Sequence, residues 1–364
     1  MAARTRPVNA PLALVGIYPP PYGGVAVSLM RLLPYLDAAG IDYVVYNTGR
    51  SRTDHPRICD VGWSWRWMVR MLLFSRHRAI QFSTSRWQAR VFAALINLLR
   101  GTRVVIYARG YSLPDSFFRA RGLQRRLVRW TLRHTDRVFA TNADLKERIA
   151  AMGYARERID TVPPFIPPPD PPRAADIPDE VRRFCADKGP VLVANGAFVL
   201  VNGADVYGLR AMADLVERLL PQFPRLAVVV YMRRGAHSAQ GEFQDLADRL
   251  QSPPLRDHLR LHDSSGDFLP VLAIADVFLR PTTTDGDANS IREALQFGVP
   301  VVASDVVPRP EGCRLYSGGN ASAFAEAAAD VLSNLERYRA QATATRSNAA
   351  DQLIPIYRNL IGNP

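Results

Sequence analysis

Lysine is nearly absent: of the chain's 46 basic residues, only Lys146 and Lys188 are lysines. Cysteine is scarce too, with three residues at 59, 185 and 313 that are odd in number and form no C-x-x-C pair. This excludes a disulfide framework and a zinc cage, and it fits a reducing compartment. Long apolar runs are missing. The best stretch, Val91 to Leu99, has nine residues, where a membrane-crossing helix needs roughly 20. The start places basic residues before an apolar stretch, as a secretory signal does. However, Pro11 to Tyr18 is too short and "PPPYGG" stands where a small-residue cleavage site belongs. A cytoplasmic chain is expected.

What is present is a lopsided charge. The 364 residues carry a net charge of +12, yet residues 1–165 hold 26 Lys+Arg against 10 Asp+Glu, and the remainder 20 against 24. Between Val61 and Thr135 there are fifteen arginines and one acid, Asp115. A G+C-rich genome explains arginine in place of lysine, but not its concentration in one half. A one-sided basic region points to an anionic partner: lipid headgroups, a phosphorylated substrate or nucleic acid. No helix-turn-helix, zinc or RNA-binding signature accompanies the charge, so nucleic acid is not expected. Trp63, Trp65, Trp67 and Trp87 interleave with these arginines. Two readings are open: an amphipathic surface that lies on anionic lipid, or tryptophans in the core with solvated arginines around them.

Short apolar runs alternate with amphipathic stretches, the mark of α/β units around parallel sheets. "LALVGIY", "YVVYN", "AIQFS", "RVVIYA" and "RVFATN" read as strands of a first domain, residues 1–165. Helices fall between them at Val25–Gly40, Ser85–Arg100 and Ala143–Gly153, with Gly40 and Gly153 where helix ends call for a left-handed residue. Residues 166–178 form a Pro-rich linker; eight of the sixteen residues from Pro163 to Pro178 are proline. Alternation resumes over 179–345 with "PVLVANG", "LAVVVYM", "LRLHD", "DVFLRP" and "PVVASD" as strands. Residues 346–364 form a C-terminal helix that is able to return to the first domain. The expected fold class is therefore α/β, with two doubly wound domains whose ligand crevices lie at the carboxyl ends of the strands.

Two loops fall at such ends. Gly23 and Gly24 follow the first strand and open the first helix, where backbone N–H groups and the helix dipole suit a phosphate. Neither G-x-G-x-x-G nor a Walker A pattern is present, and a plain helix-starting turn is the alternative. The second loop is "TTTDGDANSIREAL", Thr282 to Leu295. Asp285, Asp287 and Asn289 mimic a calcium loop, but Ser290 and Gln296 occupy the positions where that loop needs Gly and Glu. Asp285-Gly286-Asp287 is a D-x-D able to hold a divalent metal on a diphosphate. Ser290 and Glu293 match a capping box, which would put Glu293 on the first turn of a helix.

The order and spacing of "PPYGGV", "DRVFATNADLKERIAAMGYARERIDTVPPFI" and "ADVFLRPTTTDGDANSIREALQFGVPVVASDV" resemble those of retaining GT-B glycosyltransferases, closest to glycosyltransferase family 4. The last stretch corresponds to that family's E-x7-E region. The resemblance covers most of the chain. It implies two Rossmann-like domains facing a cleft and retaining transfer from a nucleotide sugar, with no cofactor and no metal. If the Trp- and Arg-rich span lies on anionic lipid, the acceptor would be a glycan or a lipid-diphosphate-linked glycan, as in bacterial surface polysaccharide assembly, and the protein would be peripheral to the inner face of the cell membrane. By the same resemblance Glu293 accepts bonds from ribose hydroxyls and Asp285 contacts the transferred sugar. Gly196 and the backbone at Gly286, Asp287 and Ala288 would lie near the donor, with the amides of Asn289 and Ser290 near the diphosphate. Gly23 and Gly24 would close over that diphosphate from the other domain.

The family's usual Arg and Lys after the first C-domain strand are missing. "NGAFVLVNGADVYG" places Ala197 and Asn202 near those positions. Arg280 is the nearest replacement, with Arg233, Arg234, Arg292 and Arg309 as further candidates. Arg109, where the family often has His, suits a leaving or acceptor phosphate but cannot act as a base. The loss of Arg and Lys leaves a catalytically weak GT-B-like binding protein as an alternative, and the D-x-D leaves a metal-dependent transferase as a lesser one.

Overall fold

A computed structural model describes residues 10–20, 24–83, 87–233, 240–264, 268–285, 288–344 and 347–362. The chain divides into two compact units: residues 1–169 with 348–364, and residues 170–347.

The first unit is built on seven parallel strands: β1 (Leu12–Gly16), β2 (Tyr43–Asn47), β3 (Ile58–Asp60), β4 (Ala79–Phe82), β5 (Arg103–Ala108), β6 (Arg137–Ala140) and β7 (Ile159–Thr161). Their order is β3-β2-β1-β4-β5-β6-β7. Strands buried on both faces read as continuous apolar runs, and residues two apart share a face. Thus Leu12 and Leu14 of β1 join the core beneath helix α1 (Gly24–Ala38). Ala13 and Val15 join the opposite core beneath α2 (Trp65–Phe74) and α3 (Trp87–Arg100). Helices α4 (Ser112–Arg119), α5 (Gly122–Arg133) and α6 (Ala143–Ala150) complete this layer. Gly40 and Gly153 stand just past helix ends with φ of 66° and 87°, left-handed as a C-terminal cap requires.

The C-terminal helix, Ala349–Ile361, returns to this unit. Leu353, Tyr357 and Leu360 enter the core below α1. The buried Tyr357 hydroxyl donates to Gln81 Oε1 at 2.6 Å, and Arg103 Nη1 donates to the carbonyl of Asn359 at 2.8 Å.

The second unit repeats the plan with six parallel strands. They are β8 (Val191–Gly196), β11 (Ala227–Arg233), β12 (Leu259–Ser264), β13 (Val277–Arg280), β14 (Val301–Ser304) and β15 (Cys313–Tyr316), and β9 (Leu200–Val201) and β10 (Ala204–Asp205) form a separate small hairpin. The large sheet runs β12-β11-β8-β13-β14-β15. Leu192 and Ala194 face the core shared by α8 (Leu209–Leu219), α9 (Gln240–Leu250), α10 (Leu255–His258) and α12 (Ala321–Ser333). Val191 and Val193 face α7 (Asp179–Cys185) and α11 (Asn289–Gln296). In both sheets the first strand of the unit is central, with its neighbours wound outward on either side. The strand order therefore reverses at β1 and at β8, and a crevice opens at their carboxyl ends.

Candidate functional site

In the second unit the crevice is organised by a buried guanidinium. β13 is an interior strand, so its last residue, Arg280, ends with only 9% of its side chain exposed and must find acceptors within the protein. Asn195, at the end of the adjacent β8, supplies its carbonyl and Oδ1 to Arg280 Nη1 at 3.2 and 3.1 Å. Asp285 supplies the rest: Arg280 Nε donates to Oδ2 at 2.9 Å and Nη2 to Oδ1 at 3.0 Å, a bidentate fork. A second arginine closes on the same carboxylate. Arg309, with 1% side-chain exposure, donates through Nη1 to Asp285 Oδ2 at 2.8 Å and through Nη2 to Thr282 Oγ1 at 2.9 Å. Ser304, ending β14, binds the carbonyl of Thr282 at 2.6 Å and offers its own carbonyl to Arg309 Nε at 3.0 Å.

These bonds add a pairing that the sequence does not show. Asp285 and Arg280 are assigned there to separate parts of a donor, sugar and diphosphate; the structure makes each the other's partner. Desolvation is the reason, because neither charge is tolerated at such depth without the other. Arg309, one of several substitutes in the sequence reading, proves integral to the cluster. The capping box is also corrected. Helix α11 begins at Asn289, its N-cap is Ala288 with no side-chain cap, and Ser290 is already inside the helix. Among the described residues, the cap position therefore offers no side-chain acceptor to the first amides of α11, which suits an anion at that end. Glu293 lies on α11 with 4% exposure, among Ile291, Ala294 and Leu295 of the core-facing side.

Gly196 is needed for packing. A Cβ there would come within 2.7 Å of the ring of Tyr207, and that ring lies under the Arg280 guanidinium, 5.2 Å from its centroid. Gly208, with φ of 69°, has the backbone of Pro281 where its Cβ would be. Ala197 is buried, and Asn202 with Gly203 forms the tip of the β9–β10 hairpin, both with positive φ. A cation at Asn202 would thus sit on a tight turn. Gly23, Gly286, Asp287 and Arg234 lie outside the described residues, and Arg233 closes β11. Arg292 is half-buried on α11. Gly24 is the exposed first residue of α1.

In the first unit the corresponding crevice holds a cavity of about 390 Å³. Ile17, Thr48, Ser83 and Arg109 line it, just past the ends of β1, β2, β4 and β5, and Arg90 reaches it from α3. Arg109 donates to the carbonyl of Pro164 at 3.2 Å, and its guanidinium lies 3.8 Å over the ring of Tyr107. Its Nε is buried without a partner. Burial pushes the pKa of Arg109 and of Arg90 down from the usual arginine value. The sequence reading does not single out Arg90. It is in fact 5% exposed, and nothing in the local pattern of α3 reveals that.

Residues 22–168 match the family model "Glycosyltransferase Family 4", and residues 189–334 match "Glycosyl transferases group 1". The chain belongs to the family 4/group 1 type of glycosyltransferase. No curated protein matches the sequence. Among solved structures, a glycosyltransferase from Rickettsia africae is similar with a TM-score of 0.70 at 12% identity, covering 98% of this chain and 100% of its own. Anabaena Alr3699/HepE in complex with UDP is similar with a TM-score of 0.66 at 14% identity, covering 96% of this chain and 99% of its own. A lipopolysaccharide outer core galactosyltransferase, WaaB, aligns with a TM-score of 0.56 at 13% identity over 96% of this chain and 98% of its own. At such identities the likeness establishes the fold, two Rossmann-like α/β units of the GT-B class.

The basic half of this glycosyltransferase separates the four tryptophans between residues 63 and 87. Trp67 is buried against Tyr46 and Phe92, and Trp63 packs beside it. Trp65 and Trp87 are 69% and 56% exposed. Around them α2, α3 and α5, which pack side by side, leave Leu73, Phe74, Leu99 and Leu123 more than half exposed. Among the described residues, no arginine between Arg66 and Arg133 has a carboxylate within ion-pair distance. All three cysteines are free thiols with pKa values pushed up by burial, Cys313 to about 12. No group of three or more metal-ligating side chains occurs among the described residues, and no helix there is long and apolar enough to cross a membrane.

Proposed function

We propose that this chain transfers a sugar, with retention and without a metal, from a nucleotide-sugar donor to a glycan or lipid-linked glycan. The observation that carries the proposal is the second unit's crevice. Buried Glu293, the Arg280–Asp285–Arg309 cluster and the uncapped start of α11 meet where an α/β sheet binds its ligand. In this reading Glu293 accepts bonds from ribose hydroxyls. The amides from Ala288 to Ser290 and the N–H that Arg280 still has to spare stabilise charge on the departing nucleoside diphosphate. The Asp285 carboxylate already binds two guanidiniums, which disfavours a D-x-D metal site and leaves arginine and helix amides as the counter-charge. Support for the donor class comes from Anabaena HepE, whose structures are complexes with UDP and UDP-glucose. Support for the acceptor class comes from WaaB, a lipopolysaccharide outer core galactosyltransferase.

The exposed aromatic and arginine-rich face of α2, α3 and α5 fits an anionic lipid surface. There each nearby cation contributes about 1 kcal/mol and the tryptophans sit at headgroup depth. A peripheral enzyme on the inner face of a cell membrane follows. The deciding experiment is a thermal-shift screen of UDP-, GDP-, dTDP- and CMP-sugars. A donor at 100 times its Kd should stabilise the wild type by about 2.7 kcal/mol, and Glu293→Ala should remove that shift. If no nucleotide sugar shifts the wild type, the reading is wrong.

A further inference from the structure

The two arginines of the second unit's cluster are not equivalent. Arg309 places four of its five N–H groups within the fold. They go to the Ser304 carbonyl, Asp285 Oδ2, Thr282 Oγ1 and Ser304 Oγ at 3.0, 2.8, 2.9 and 3.4 Å, and the side chain is 1% exposed. A guanidinium so enclosed has almost no surface with which to meet a ligand. Arg280 ends β13 at the crevice with 9% of its side chain exposed, and its Nη2 donates to Asp285 alone.

Charge separates the two further. Among the described residues, Asp285 is the one carboxylate that either guanidinium reaches. Two positive groups thus share one negative group, and the trio keeps a positive charge. Arg280 Nε and Arg309 Nη1 converge on the same oxygen, Oδ2, at 2.9 and 2.8 Å. Charges interact more strongly at such depth than in water. Alone with Arg280, the carboxylate would cancel it; with Arg309 behind, it is already neutralised.

The loop that carries the carboxylate is pinned on both sides. The Thr283 amide donates to the carbonyl of Val206 at 3.0 Å, and Ser304 Oγ to the carbonyl of Thr282 at 2.6 Å. Thr282 Oγ1 adds a bond to Asp285 Oδ2 at 3.2 Å. Such a loop holds Asp285 between the two arginines.

We infer that Arg309 is a positioning residue that acts through Asp285. It neutralises the carboxylate from the enclosed side and so leaves the charge of Arg280 to a nucleotide's phosphate. The sequence allows Arg309 as a direct counter-charge at a diphosphate; its enclosure rules that out. That the anion is a nucleotide's phosphate rests on the transferase reading above, whereas the sharing of Asp285 does not.

Calorimetric binding of UDP, GDP, dTDP and CMP to the full chain, each beside its own nucleoside, tests the role. Arg309→Gln should weaken the bound nucleotide about tenfold or more, the scale of a lost bond to a charged group. It should leave the nucleoside unchanged. Arg309→Lys, which keeps the charge, should recover most of the lost affinity. Equal weakening of nucleotide and nucleoside by Arg309→Gln makes Arg309 a packing residue and overturns the role, as does a lysine variant no better than the glutamine one. Should Arg309→Gln not fold, Asp285→Asn decides with the sign reversed. It leaves both guanidiniums without a carboxylate and should bind the nucleotide more tightly than wild type; equal or weaker binding overturns the role. A wild type that binds none of the four nucleotides overturns the transferase reading and this role together. A wild type and an Arg309→Gln variant that bind a nucleotide equally overturn this role alone.

Discussion

Both units bring arginines to the carboxyl end of a parallel sheet, and they treat them in opposite ways. In the second unit Arg280 and Arg309 share Asp285, with Asn195, Thr282 and Ser304 taking most of the remaining N–H groups. In the first unit Arg90 and Arg109 share a cavity and no carboxylate. The first arrangement finds its carboxylate within the fold and so serves to shape a crevice. The second has no carboxylate partner among the described residues. The number of arginines is therefore a poor guide to where an anion binds; the number of acids beside them is a better one.

The comparison is broken most directly by removing the acid. Asp285→Asn leaves two buried guanidiniums facing a neutral amide and should destabilise the second unit by about 3–5 kcal/mol, read from urea unfolding. Arg90→Gln removes a charge that the fold does not compensate, and its stability should stay within about 1 kcal/mol of wild type. Equal losses from the two variants would abolish the distinction between them. A smaller effect concerns the basic surface. Trp65→Ser with Leu73→Ser should leave unfolding within about 0.5 kcal/mol of wild type, as surface changes usually do, yet abolish sedimentation with anionic vesicles. If the wild type itself stays in the supernatant at low salt, the membrane role is lost.

The smallest effect expected is a pH dependence in the first unit. His77 is 6% exposed, bonded at Nδ1 to the carbonyl of Ala10 and at Nε2 to the Tyr46 hydroxyl. Burial, partly opposed by the Ala10 bond, holds its pKa below the ordinary 6.5. The unfolded chain then takes up a proton before the folded one does. The contribution of His77 is intact above pH 6.5 and is lost as pH falls toward the folded value. The melting temperature should fall on acidification through this window, and His77→Gln should flatten that slope.

Much of this was legible in the sequence where burial made the signal dense. β2 and β5 coincide residue for residue with "YVVYN" and "RVVIYA", because a strand buried on both faces reads as a nearly continuous apolar run, with its polar residues at its ends. The edge strands β3 and β7, three residues each and partly exposed, carry no such run and escape notice. The β9–β10 hairpin has strands of two residues, and only its Asn202-Gly203 pair announces it. At the site, Glu293 and Arg280 are found by position alone. Their partners are not, since Arg309 meets Asp285 from 24 residues away. Arg90 looks solvated on an amphipathic helix because depth is a property of the packed layers, and three-residue spacing does not report it.

The return of the C-terminal helix has a consequence for how the protein is made. Residues 170–347 are enclosed, along the chain, by the two segments of the first unit. Leu353, Tyr357 and Leu360 are part of that unit's core. During synthesis the seven strands emerge first, yet they wait for a helix that the ribosome supplies some 190 residues later, about 10–40 s at ordinary elongation rates. The second unit has its entire core in hand before then. The order of completion therefore reverses the order of synthesis, and a nascent chain halted before residue 349 would carry a finished second unit behind an unfinished first one.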